Sequence, residues 1–294
     1  MTTDLPQLFD KALRRRHLAR VAPTRPAFYA QALAAEVESR LGLILRDFKS
    51  TLIFGPAAGE IRALLSGLSR LGRIITAAPA PGPGIDFVFD DEAVPLAPQS
   101  LDCIISLFGL HSVNDVPGSL AQFRAALRPD GLFLGGLFAG RTLVELREAW
   151  LAAEAELTGG ASLRVAPFAD LRDVGALMQR AGFALPAVDL DQTTVRYKDG
   201  LSLMREIKAL GLQHSLKARA RRPVTASLLA RAAALYDARF SDPDGRVRAT
   251  VETAWAIGWA PHASQQQPLR PGSAKARLAD ALKTQEVKLE DKLD

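Results

Sequence analysis

Cysteine is almost missing from this chain. Its 294 residues include one, Cys103, so there is no internal disulfide and no thiolate set for a structural zinc. No His, Cys and carboxylate cluster has ligand spacing, and no metal site is expected. Long hydrophobic runs are missing too. No stretch approaches the roughly 18 uninterrupted apolar residues that a membrane-crossing helix needs. There is no phosphate-binding loop of the G-x-x-x-x-G-K type and no internal repeat. Aromatic residues make up only 6% and do not interleave with the basic ones. That argues against a stacking surface for single-stranded nucleic acid, and no specific nucleic-acid partner is expected.

What is present is globular material, 48% hydrophobic and 23% charged. That length and composition suit one large α/β domain, or one domain with an insertion. The net charge is +5. Much of the excess sits in two clusters, Lys11 with Arg14, Arg15, Arg16 and Arg20, and Lys217 with Arg219, Arg221 and Arg222. Such clusters serve an acidic partner or an anionic membrane surface, or they are solvated helix faces; the last is the expectation here. The N-terminal segment has no apolar core of a secretory signal. It is arginine-rich like a mitochondrial presequence but contains Asp4 and Asp10. A lone cysteine inside a buried strand fits a reducing, cytoplasmic setting and a packing role.

Residues 86–140 organise the rest. Apolar runs at 85–89, 101–107 and 132–138 are too short for lone helices and do not alternate, as in strands buried on both faces of a parallel sheet. Between the second and third lie a loop with His111, Asn114 and Asp115 and a helical period at Leu120, Phe123 and Leu127. Pro129-Asp130-Gly131 is read as the stop of that helix. Upstream, helices are expected over 5–21 and 27–41, a strand at 51–54, a helix at 60–71 and a strand at 73–76. Downstream, the periods give helices at 142–157, 170–181, 201–210 and 226–240, and strands at 185–190 and 247–257, the last antiparallel. The expected divisions are an N-terminal cap (1–45), a core (46–200), a helical lid (201–245), a last strand with closing loop (246–274) and a charged tail (275–294).

The acidic turn Asp90-Asp91-Glu92, then Val94-Pro95-Leu96, SLDCIIS at 100–106, LHSVND at 110–115 and ALRPDGLF at 126–133, resembles the class I S-adenosylmethionine-dependent methyltransferases. The segments at 8–20, 140–150, 164–189 and 258–274 narrow the likeness. They are similar to the branch holding the malonyl-carrier-protein methyltransferases and a mitochondrial complex I assembly factor described as an arginine hydroxylase. The resemblance implies a Rossmann-like α/β fold with a seven-stranded, mostly parallel sheet. It also implies S-adenosylmethionine as cofactor, and a protein side chain, a carrier-bound acid or a respiratory-complex subunit as target. By position it places Gly55 and Gly59 at the cofactor's methionine end, Asp90 on the adenine, and Asp91 and Ser106 beside it. His111 is placed at the reacting centre, as general acid or base.

Three positions depart from that pattern. The glycine-rich turn reads LIFGPAAGEI, with Ile53 where an acid stands and Ala57 for the central glycine. The second strand ends in Ala77-Ala78, with no carboxylate for the ribose hydroxyls. A charge-assisted bond lost there is worth about 1.5–3 kcal/mol. Two readings follow. One is a methyltransferase with a degraded cofactor motif; the other is a binding or assembly protein that kept the sheet and lost the cofactor contacts. His111 likewise has a plain alternative, a structural hydrogen bond, and Asn114-Asp115 before Pro117 is a helix-capping signal.

Overall fold

The computed structural model describes residues 7–160, 162–220, 223–266, 273 and 278–284. They divide into two compact units, Met1–Pro261 and His262–Asp294. Within the first, two helices precede the sheet, α1 (Lys11–Val21) and α2 (Ala27–Gly42). Residues 7–10, expected to be helical, are not; the Asp10 carboxylate instead caps α1 by accepting from the Leu13 amide at 3.0 Å. Pro23 and Pro26 bracket the elbow between the helices, a single 3-10 turn at Ala22–Thr24. Helix α2 buries Tyr29, Leu33, Val37 and Leu41 at helical spacing.

Seven strands follow: β1 (Ser50–Phe54), β2 (Arg73–Ala78), β3 (Phe87–Val88), β4 (Leu101–Leu107), β5 (Leu127–Phe138), β6 (Ala184–Tyr197) and β7 (Val247–Trp259). They form one sheet in the order β3-β2-β1-β4-β5-β7-β6, parallel except for β7. This is the seven-stranded, mostly parallel sheet that the apolar runs and the resemblance imply. The order reverses between β1 and β4, and the crevice beyond their carboxyl ends is where open sheets of this kind take ligands.

Helices α3 (Ala58–Leu65), α4 (Val116–Ala126), α5 (Val144–Thr158), α6 (Leu171–Arg180), α7 (Gly200–Ala209) and α8 (Ala226–Phe240) complete the unit. Both faces of the sheet are covered, which is why its strands read as unbroken apolar runs. Cys103, Ile105 and Leu107 of β4 face the core under α2 and α3, while Ile104 faces the core under α4 and α6. A third core joins Leu146 and Trp150 of α5 to Leu203, Leu228, Tyr236 and Val247, so α7 and α8 are docked on α5 and on β7.

Three expectations shift. Strand β3 keeps two residues of the run 85–89, because Asp86 is drawn out to bind the Thr76 amide and hydroxyl. Strand β5 starts at Leu127 and runs through the proline-glycine stop, with Asp130 at φ 61°. The strand expected at 185–190 runs on to Tyr197 as β6.

Phe123 sits between Phe54 and Phe133, with ring centroids 5.6 and 6.0 Å away, and is wholly buried. Phe123→Ala should cost about 3–5 kcal/mol, read as a lower urea midpoint at unchanged m-value. A loss below about 1 kcal/mol would show that this aromatic stack is not tightly packed.

Candidate functional site

The crevice at the carboxyl edge is bounded by the turn after β1, the loop after β2, the acidic turn after β3 and the loop after β4. The sequence places its candidates on these four segments. The fold brings them together, and it adds a fifth participant that sequence reasoning set aside. Helix α1 lies across the acidic turn, and Lys11, Arg14 and Arg15 are that turn's counter-ions, while Arg16 and Arg20 stay on the exposed face.

Arg14 meets Asp91 through two parallel bonds, Nη1 to Oδ1 at 2.8 Å and Nη2 to Oδ2 at 3.0 Å, and Nη2 also donates to the Gly109 carbonyl at 3.2 Å. Asp91 is 2% exposed. Lys11 reaches Glu92 at 2.6 Å and Asp90 at 3.2 Å, and Arg15 reaches Asp90 at 3.3 Å. Burial works against the charge on Asp90, but the Glu92 amide and Lys11 outweigh it and hold its pKa below the usual carboxylate range. The loop after β4 joins the same network. The Asn114 side chain accepts from the Phe9 amide at 2.7 Å, and its own amide donates to Glu92 Oε1 at 2.7 Å. Asp115 caps α4 through the Gly118 amide at 2.8 Å, as its capping signal implies.

The glycine turn is closed in the same manner. Arg25, at the elbow of the cap, donates to the Pro56 carbonyl at 2.6 Å and to Glu60 at 3.0 Å; its side chain is 2% exposed. A Cβ on Gly55 would stand 2.3 Å from the Leu107 carbonyl oxygen, and one on Gly59 would stand 2.1 Å from that of Pro83. Both glycines are therefore required by the approach of the protein's own backbone. The loop that presses on Gly59 is fixed by Asp86, which takes Arg62 at 2.7 Å besides Thr76, and by the Thr76 hydroxyl on the Gly84 carbonyl at 2.7 Å.

Two of the contacts that the resemblance implies for S-adenosylmethionine have no counterpart among these residues. The ribose position has Ala77 and Ala78 and no acceptor. The gap between Leu18, Ala22, Arg25, Pro56, Ala78 and Pro81 is too narrow to admit a water molecule. A cofactor site normally offers about 300–1,000 Å³. A wider hollow, of about 600 Å³, opens elsewhere, beside Asp10, Lys217 and Arg219.

Ser106 is fully buried at the end of β4, with no hydrogen-bond partner for its hydroxyl among the described residues. His111 lies on a 3-10 turn, Leu110–Ser112, with its Nδ1 buried and unpartnered. Its ring, Phe138 and Phe168 form a triangle with centroids 4.9, 5.8 and 6.1 Å apart, each ring partly exposed. Burial, with Arg14 nearby, pushes the His111 pKa down to about 3. The imidazole is neutral at physiological pH and poorly suited to accept a proton there. Aromatic residues at 138 and 168 carry no motif and become legible only once the fold sets them beside His111. Glu145, on the helix that follows β5, is buried and accepts from the Thr250 amide at 3.1 Å.

Comparison with known proteins agrees with the geometry of the sheet. A family model described as a methyltransferase domain matches residues 27–188. The chain is 37% identical to the mitochondrial arginine-hydroxylase NDUFAF5 of Danio rerio over 194 residues, 66% of this chain and 60% of that one. To the Homo sapiens form it is 32% identical over 287 residues, 93% of this chain and 83% of the other. A malonyl-acyl-carrier-protein O-methyltransferase of Halorhodospira halophila is 36% identical over 176 residues, 58% of each chain. The solved YcgJ protein of Bacillus subtilis superposes with a TM-score of 0.51 at 12% identity, covering 78% of this chain and 99% of that one. This last likeness shows the fold alone.

Two outcomes follow from the charge network. Arg14→Ala strands Asp91 in the interior and should cost about 3–5 kcal/mol in urea unfolding, whereas Arg14→Met with Asp91→Leu should recover most of it. Equal losses would show that the pair is not self-contained. For His111 the folded pKa lies below its ordinary 6.5, so the unfolded chain binds the proton first as pH falls. Stability is then lost from 6.5 downward to about 3. His111→Phe should lose less stability than the parent chain across that window; identical slopes would refute the assignment.

Proposed function

The chain belongs to the methyltransferase domain family, and on that premise we propose that it acts as a protein-binding member, holding a partner rather than transferring a methyl group. The observation that carries this reading is the closed seat. The cap and the loop after β2 fill the space above β1 and β2, and the acids that remain are neutralised from within the chain.

Magnitudes favour it over a transferase. Freeing Asp91 from Arg14 costs about 3–5 kcal/mol. A cofactor that must first open the cap loses about two to four powers of ten in apparent affinity. An intrinsic micromolar site would then bind at about 0.1–10 mM, before the missing ribose acceptor is counted.

A protein partner suits what stays open. The His111, Phe138 and Phe168 triangle is apolar, uncharged and rigidly backed by Phe108, whose centroid is 4.6 Å from that of Phe138. Aromatic clusters of this kind anchor a partner's side chain in protein interfaces. The relatives' names point to arginine and to a carrier protein's malonyl group, both of which fit protein-borne targets. The sequence resemblance adds a respiratory-complex subunit as a partner of this type.

The test is calorimetric titration of the whole chain with S-adenosylmethionine and with S-adenosylhomocysteine. No binding tighter than about 1 mM is expected, equivalent to about 4 kcal/mol. Micromolar binding of either would replace this reading with the transferase one, with Asp90 at the adenine.

A further inference from the structure

We infer that the opposite end of the molecule, where β1 and β2 begin, carries a docking loop for an anionic lipid surface. After α2 the chain leaves its C-cap Leu43, still in a helical turn, and crosses as a loop to Lys49, along which exposed and covered residues alternate. Ile44, Arg46 and Phe48 turn inward. Ile44 packs on the core under α2, Arg46 pairs with Asp130 and lies over the Trp259 ring at 5.7 Å, and Phe48 is buried. Leu43, Leu45, Asp47 and Lys49 are thereby turned out. Leu43 is 86% exposed and Leu45 is 99% exposed.

These leucines cannot fold back, because the segment is pinned along its length. The Arg70 guanidinium donates to the Leu41 carbonyl at 2.6 Å and the Ile44 carbonyl at 3.0 Å. The Phe48 amide donates to the Arg70 carbonyl at 2.7 Å, and the Arg73 amide to that of Lys49 at 3.0 Å. A lone exposed leucine is unremarked on any protein surface. Two of them, nearly fully exposed and held outward by a fixed backbone, are a different matter.

The charge beside them selects the partner. The segments 43–49 and 68–73, tied together by those bonds, hold Arg46, Lys49, Arg70 and Arg73 against one acid, Asp47. Lys49 and Arg73 are exposed and form no ion pair among the described residues. Apolar tips beside free cations match the boundary of an anionic bilayer, where the tips enter the acyl region and the cations meet the headgroups.

Vesicle co-sedimentation of the whole chain tests the inference. Phosphatidylglycerol vesicles should retain at least about ten times more protein than phosphatidylcholine vesicles, and salt should weaken the association. Leu43→Ser with Leu45→Ser should lower retention about tenfold at an unchanged unfolding midpoint. A Leu45→Trp variant supplies a readout independent of that pair, a blue shift of its added fluorescence on mixing with the anionic vesicles. The inference is overturned if the protein ignores anionic vesicles. It is equally overturned if the serine variant is retained like the parent chain, or if the tryptophan emission does not move.

Discussion

The buried ion pair between Arg14 and Asp91 sets the terms for the whole carboxyl edge. Two charges taken out of water are tolerated only with good geometry and further hydrogen bonds, and this pair has both: parallel contacts and the Gly109 carbonyl. Once it exists, α1 cannot lie elsewhere. Lys11 and Arg15 then reach Asp90 and Glu92, and Asn114 fastens the segment before α1 to the loop after β4. Three separate segments of the chain are thus held by one patch of charge. The same patch pairs, from within the chain, the acids that a nucleoside cofactor would otherwise meet.

Much of the fold was legible beforehand because it rests on local patterns. Strand β4 was read at its observed limits, since a short β-branched run between polar turns admits few alternatives. Helix α8 and the antiparallel β7 were also visible, although β7 runs two residues further. The misreadings have local causes. Pro129 and Gly131 are ordinary stop signals, yet the strand pairs through them because β5 borders β7 and the Asp130 amide bonds to the Ala260 carbonyl. The run at 85–89 is as apolar as a strand, but Asp86 diverts its start to Thr76.

The site was less legible, and the reason is physical. Gly55 and Gly59 could be picked out as positions intolerant of a side chain, but sequence cannot say what takes the room. A cofactor and a neighbouring loop leave the same glycine behind. The missing acids at Ile53 and Ala77 could be read directly, because they are a matter of residue identity and not of arrangement. Lys11, Arg14 and Arg15 of α1 were misjudged, because whether a charge is solvated or paired depends on a partner some 75 or more positions along the chain. His111 could be singled out as titratable, but its surroundings, Phe138 and Phe168 with Arg14 behind, could not be anticipated from spacing.

Strand β7 pairs with β5 only from Thr253 onward, while its first residues pair with β6 alone. The sheet therefore ends in a two-stranded ribbon, and α5, α7 and α8 are assembled around that ribbon, not around the central strands. A free ribbon is marginal in water, so ribbon and helices must stand or melt together. The buried Glu145 and Thr142 are the seam between this subassembly and the main sheet, through Thr250 and Glu252. The chain after α7 then returns to the cap, where the Asp10 amide donates to the Ser215 carbonyl and the Lys217 amide to that of Leu8, so the ribbon's helices also brace the closed crevice.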